Sequence, residues 1–107
     1  MAFTAAKYSA ALASGALTDI TGGGVAIGGT YLLTVSNGTG TNNTISIAIT
    51  TGAAPVPADY VEQNTTVDGM GTGGILSRWP IPLNQGWRVY AQAGSAGLSI
   101  TLLGATS

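Results

Sequence analysis

The chain has 107 residues, of which 7% are charged: three Lys or Arg against four Asp or Glu, with neither His nor Cys. Without imidazole or thiol there is no histidine base, no cysteine nucleophile and no His- or Cys-based metal centre, and three basic residues cannot build the positive stripe that nucleic acid requires. A soluble domain carries roughly 25% charged residues, so this surface is finished with Thr, Ser, Asn and Gln or is covered by other protein. A net charge of −1 leaves little repulsion to keep copies apart, and self-association is expected. High Gly and Thr with scarce Lys and Glu disfavour long helices and favour strands. The length implies one domain, large enough to bury a core without staples. No apolar run approaches the roughly 20 residues that span a bilayer, so no membrane partner is expected.

Residues 1–16 hold one Lys and then an Ala-rich stretch too poor in large apolar residues for a signal-peptide core. They are predicted to remain as an extended arm or first strand, ahead of a β-sandwich domain over residues 17–107. Residues 17–20 are a possible strand, ended by Gly22-Gly23-Gly24. Residues 31–36 alternate, with Tyr31, Leu33 and Val35 on one face, and stop at Asn37-Gly38; residues 44–51 then place Ile45, Ile47 and Ile49 on one face. Because Asn-Gly is a strong turn signal, these two runs are predicted to form a hairpin. A loop or crossover follows through Pro55 and Pro57, then a short strand over 59–63 and a Gly-rich turn over 68–74. Residues 75–79 resume extended structure, and Pro80 and Pro82 favour an edge or a corner. Residues 87–93 and 98–103 are predicted to form a second hairpin around the turn at 94–97.

About seven to eight short strands with turn chemistry between them indicate an all-β fold, a single antiparallel β-sandwich or jelly-roll-like domain. Its expected core is Leu33, Val35, Ile45, Ile47, Ile49, Val61, Leu76, Ile81, Leu83, Val89, Ile100 and Leu102, each fully buried large aliphatic contributing about 1.5–3 kcal/mol. Leu32 and Leu103 fall on the opposite parity and hint that the outer face is also covered.

Catalytic chemistry is hard to assemble from four carboxylates. Asp59 and Glu62, three apart in an expected strand, point to opposite faces and cannot pair as acid and base. Asp19 and Asp68 beside Gly-rich turns read as Asx-turn residues, since no second carboxylate stands at the loop spacing a calcium site needs. Gly69, Gly71 and Gly74 match G-x-G-x-x-G without the helix or β-α-β unit that would give it meaning. Asn37, Asn42 and Asn64 open N-x-T sequons that chance explains in so Asn- and Thr-rich a chain. No catalytic, cofactor or metal site is expected.

The aromatic and basic residues are better placed. Arg78 adjoins Trp79, Arg88 adjoins Trp87, and Tyr90 shares a strand face with Arg88. Trp, Tyr and Arg are the types enriched at interface hot spots, which makes Tyr60, Arg78, Trp79, Trp87, Arg88 and Tyr90 the interface candidates. Buried Trp plugs with Arg side chains solvating the rim are the structural alternative, and a sugar-stacking platform of Trp79, Trp87 or Tyr90 is a third. Arg88→Glu is expected to weaken assembly while leaving the fold intact.

The stretch Ile81-Pro82-Leu83-Asn84-Gln85-Gly86-Trp87-Arg88-Val89-Tyr90, continued by residues 93–97 and 98–104, resembles the C-terminal outline of small virion proteins of tailed bacteriophages. The likeness extends more faintly to residues 30–49, and Gly86-Trp87 departs from it where an acidic residue commonly follows the Gly. The resemblance implies a repeated virion part, with the major capsid protein or tail proteins as partners. Decoration or cementing of the shell as a homotrimer is the expected role, with a tail-adaptor or fibre-associated place as the alternative.

Overall fold

Period-two alternation runs through eight strands in the computed structural model, which describes residues 4–71 and 74–106. They are β1 (Thr4–Ala11), β2 (Thr18–Asp19), β3 (Gly29–Asn37), β4 (Asn43–Thr50), β5 (Tyr60–Val67), β6 (Ile75–Leu83), β7 (Arg88–Ala93) and β8 (Leu98–Thr106). A short 3₁₀ turn, Pro57–Asp59, leads into β5. Residues 1–3 of the expected arm, 72–73 of the Gly-rich turn and 107 lie outside the described residues. The front sheet has the order β1-β8-β3-β6 and the back sheet β2-β7-β4-β5, with every strand pair antiparallel. Two four-stranded sheets interleaved in this way are a jelly roll. Among the described residues no helix is long and apolar enough to cross a membrane.

Neither predicted hairpin exists. β3 pairs with β6 and β8 in the front sheet, while β4 pairs with β5 and β7 in the back sheet; β7 and β8 are likewise divided between the sheets. Alternation alone cannot separate a hairpin from an arch, because both send the same face inward. The turn decides it: a two-residue type I′ hairpin needs positive φ at both central residues, and neither Asn37 nor Gly38 has it. Instead the buried Asn37 side chain ties the crossing loop together. Its Nδ2 donates to the carbonyls of Thr41 (2.8 Å), Val67 (3.3 Å) and Asp68 (3.2 Å), and its Oδ1 accepts from the Thr39 amide at 3.0 Å. Asn43 does the same for the β7–β8 arch, donating to the Ser95 carbonyl at 2.7 Å and accepting from the Ser95 amide at 3.0 Å. These paired buried polar groups fix both crossings at one end of the sandwich.

The core between the sheets comprises Leu33, Val35, Tyr31, Ile100 and Leu102 from the front, and Ile45, Ile47 and Val89 from the back, with Leu12, Ile20 and Val25 closing the ends. Leu76 and Ile49 are partly buried against it. Val61, expected inside, is 55% exposed, because β5 bulges between its pairings with Ile47 and Ala48 and turns that residue out of the alternation. Tyr31, buried beside Tyr8, donates its hydroxyl to the Ile27 carbonyl at 2.6 Å, and its ring occupies the space where a side chain at Gly104 would stand. Burial, and then Tyr8, hold the Tyr31 hydroxyl above its ordinary pKa.

Candidate functional site

The register fixes what each outer face presents. On the front sheet, Lys7 pairs with Leu103 and Leu103 with Leu32, so these three side chains stand in one outward row. Arg78 faces inward opposite Leu33, and Trp79, next along β6, therefore points outward beside Leu32. A second row runs through Ser9, Thr101, Thr34 and Ser77, and a third through Ala11, Ser99, Ser36 and Ile75. Trp79 is 63% exposed, Ile75 64% and Leu103 47%. Lys7 is the single charge in these rows.

The prolines in β6 follow from its position at the sheet edge, where a missing N–H costs no ladder bond. A bulge between the Tyr31 and Leu33 pairings resets its parity, so Leu76 and Arg78 before it and Ile81 and Leu83 after it all face in. Inside the β6 edge, Arg78 reaches the back sheet: its Nε donates to Glu62 Oε2 at 3.0 Å and its Nη2 to Glu62 Oε1 at 3.1 Å. Inward-pointing charges on two edges are a device that discourages edge-to-edge pairing. The Arg78 hydrogen bonds, then one from Thr65, hold the Glu62 carboxyl below its ordinary pKa against the opposing effect of burial. Beside this bridge lies an apolar cleft of about 390 Å³, walled by Val61, Pro80, Pro82 and Trp87, with Leu33, Ile47 and Ile49 at its base.

The back sheet's outer face is different. Ala48 sits between Tyr60 on β5 and Tyr90 on β7. Arg88 lies over its neighbours on this face, its Nη1 donating to the Tyr90 hydroxyl at 3.3 Å and lying 3.8 Å from Asp19 Oδ2. Asp19 in turn accepts from the Thr21 amide at 3.0 Å and the Gly23 amide at 3.0 Å, the Asx-type bonds that shape the turn after β2. Asp59 lies in the 3₁₀ turn, outside the strand expected for it, and its Oδ2 accepts from the Val56 amide at 2.9 Å.

The six candidates thus occupy three surfaces. Tyr60, Arg88 and Tyr90 share the back face, Arg78 and Trp87 border the cleft, and Trp79 stands on the front face. Trp79, Trp87 and Tyr90 do not line up as a stacking platform. Sequence reasoning missed Glu62 as the partner of Arg78, and Ile75 as an outward apolar residue. The parity of Leu32 and Leu103 was the one signal that pointed to the front face.

No protein-family model and no curated protein matches the chain. Among solved structures, the chain is similar to the C-terminal CBM6 of LamC, a marine laminarinase from Zobellia galactanivorans, at 14% identity over 97% of this chain and 100% of that one, TM-score 0.48. It is also similar to a pentameric capsid protein from metagenomic phage sequences, at 18% identity over 96% of this chain and 60% of the other, TM-score 0.39. A third likeness is to the carbohydrate-binding module CBM6cm-2 of Cellvibrio mixtus lichenase 5A, solved with cellotriose, at 17% identity over 90% of this chain and 73% of that one, TM-score 0.39. Likenesses at this distance concern the outline of the fold and assign no function.

Proposed function

We propose that the chain is a non-enzymatic structural part of a bacteriophage virion that decorates or cements the capsid shell, with the front sheet as its contact face and a homotrimer as its expected state. The observation that carries the proposal is the front face itself: twelve outward positions in three rows, one charge among them, and Trp79, Ile75 and Leu103 exposed. A lone soluble domain gains nothing from a flat, nearly uncharged face with three large apolar side chains in water, whereas an interface core is depleted of charge and enriched in Trp. The prolines and inward charges at β6 keep that face from associating by uncontrolled strand pairing, which favours packing of side chains over edge addition. Four of the seven charges are already committed to the pairs Arg78–Glu62 and Arg88–Asp19, so the surface has few left to oppose a neighbour. The resemblance of residues 81–104 to small virion proteins supplies the context.

The test is the copy number of the chain relative to the major shell protein in purified particles, by quantitative mass spectrometry. Abundance comparable to the shell subunit is expected. A few copies per particle would move the chain to the tail or its fibres, and absence from particles would overturn the virion role.

A further inference from the structure

The outer face of the back sheet carries a groove of about 550 Å³, separate from the front face. Its floor is a polar row across three strands. Asn64 of β5 donates its backbone N–H to Ser46 Oγ of β4 at 2.9 Å, and Ser46 stands opposite Gln92 of β7. Gln92 is itself oriented, its Nε2 donating to the Gly15 carbonyl at 3.0 Å. One wall is Pro55, Val56, Pro57 and Tyr60, a stretch held by the Asp59 carboxylate on the Val56 amide and stiffened by its two prolines.

Two features mark this groove as more than a dip between strands. Asn64 has φ 51°, the one positive φ outside glycine among the described residues. It lies where β5 bulges, with Gln63 and Asn64 falling between the pairings of Ile45 and Ile47; bulges re-aim side chains, and strained backbone gathers at binding sites. The second feature is chemical. No charged side chain lines the groove, yet the Gln63 side-chain amide, the Asn64 Nδ2 and the Gln92 Oε1 make no hydrogen bond among the described residues, so amide donors and acceptors open to solvent stand beside an apolar wall.

We infer that this groove binds a neutral saccharide. A pyranose offers hydroxyls that both donate and accept, matched by carboxamides that do the same, and an apolar C–H face that packs on Tyr60 and the prolines as aromatic and aliphatic platforms allow. A phosphate or carboxylate ligand has no cation here to meet it, and a hydrophobic peptide side chain would bury the amides unpaired.

The test uses the full chain, uniformly labelled with ¹⁵N and titrated with neutral tetrasaccharides of glucose, galactose, mannose and N-acetylglucosamine up to their solubility limits. At least one is expected to move the side-chain amide resonances of Gln63, Asn64 and Gln92 while leaving Gln85, in the β6–β7 turn, in place. Asn64→Gly keeps a residue suited to positive φ and removes the carboxamide; it is expected to weaken that binding about tenfold with a dispersed, folded spectrum. Gln92→Ala, on β7 across β4 from Asn64, is expected to do the same. Silence of the three amides across the panel, or shifts confined to the indole N–H groups of Trp79 and Trp87, would overturn the inference, as would unchanged affinity in both variants.

Discussion

The two outer faces of this jelly roll are made by the same alternation and come out opposite in character. The front face is regular: its strands pair without interruption from β1 through β8 to β3, and its side chains fall into straight rows of Ser, Thr and a few large apolar residues. The back face is broken by two irregularities in β5, and the one that carries Gln63 and Asn64 borders a groove. Regular register gives a surface that packs against another surface, and bulged register gives a concavity that encloses something small. Small hydroxyl residues do not separate them, since Ser and Thr recur on both.

The contrast breaks most completely at the front. Trp79→Ser combined with Leu103→Ser is expected to weaken association about a hundredfold or more, as loss of hot-spot aromatic and aliphatic anchors does, while the dilute, dissociated chain keeps its fold because both side chains stand largely in solvent and Tm falls only at concentrations where the wild type associates; sedimentation velocity and calorimetry read the two effects. Gly104→Ala acts from beneath the same face. The new methyl meets the Tyr31 ring, and overpacking of this kind costs about 1–3 kcal/mol, read as a drop of several degrees in Tm.

The flank between the faces responds next. Glu62→Gln leaves Arg78 without its carboxylate and is expected to cost on the order of 1 kcal/mol, tempered by the solvent around Arg78. The sign with pH follows from the lowered carboxyl: its stabilisation is complete above the ordinary glutamate value of 4.5 and is lost as pH falls through the lower folded value. Urea titrations at falling pH are therefore expected to converge for wild type and variant in acid. The smallest effect on association belongs to Arg88→Glu. Its guanidinium is engaged by Tyr90 and Asp19, which moves the expected consequence from assembly to the fold. The new carboxylate repels Asp19 and loosens the two-residue β2, so that the Ile20 amide, bonded to the Val89 carbonyl at 2.9 Å, exchanges faster while sedimentation is unaltered.

Much of the fold was legible in sequence because the strongest strands alternate cleanly: Tyr31, Leu33 and Val35, then Ile45 and Ile47, then Val89, Ile100 and Leu102. The pairing was not legible. Sequential strands usually neighbour one another, but here only β4 and β5 are adjacent both along the chain and in a sheet, and the residues that forbid the hairpins, Asn37 and Asn43, act through tertiary hydrogen bonds to Val67 and Ser95. β1 gave a weak signal since its inward residues Ala6, Tyr8 and Ala10 are mostly small and only partly buried. Among the candidate residues, Arg78 and Trp79 were recognisable as a pair by type and alternation sends them to opposite faces, yet which of the two faces inward, and that Glu62 meets it there, exists only in the register. The groove was invisible for a similar reason: Asn64 reads as a sequon residue until its backbone angle and its bond to Ser46 are known.

Hydroxyl-radical footprinting of the assembled particles against the isolated chain, read by mass spectrometry, tests the contact face most directly. Trp79 and Leu103 are expected to be oxidised in the free chain and protected in particles, with Tyr60 reacting alike in both. Equal oxidation of Trp79 in the two states, or protection confined to Tyr60 and Tyr90, would contradict the assignment of the front sheet.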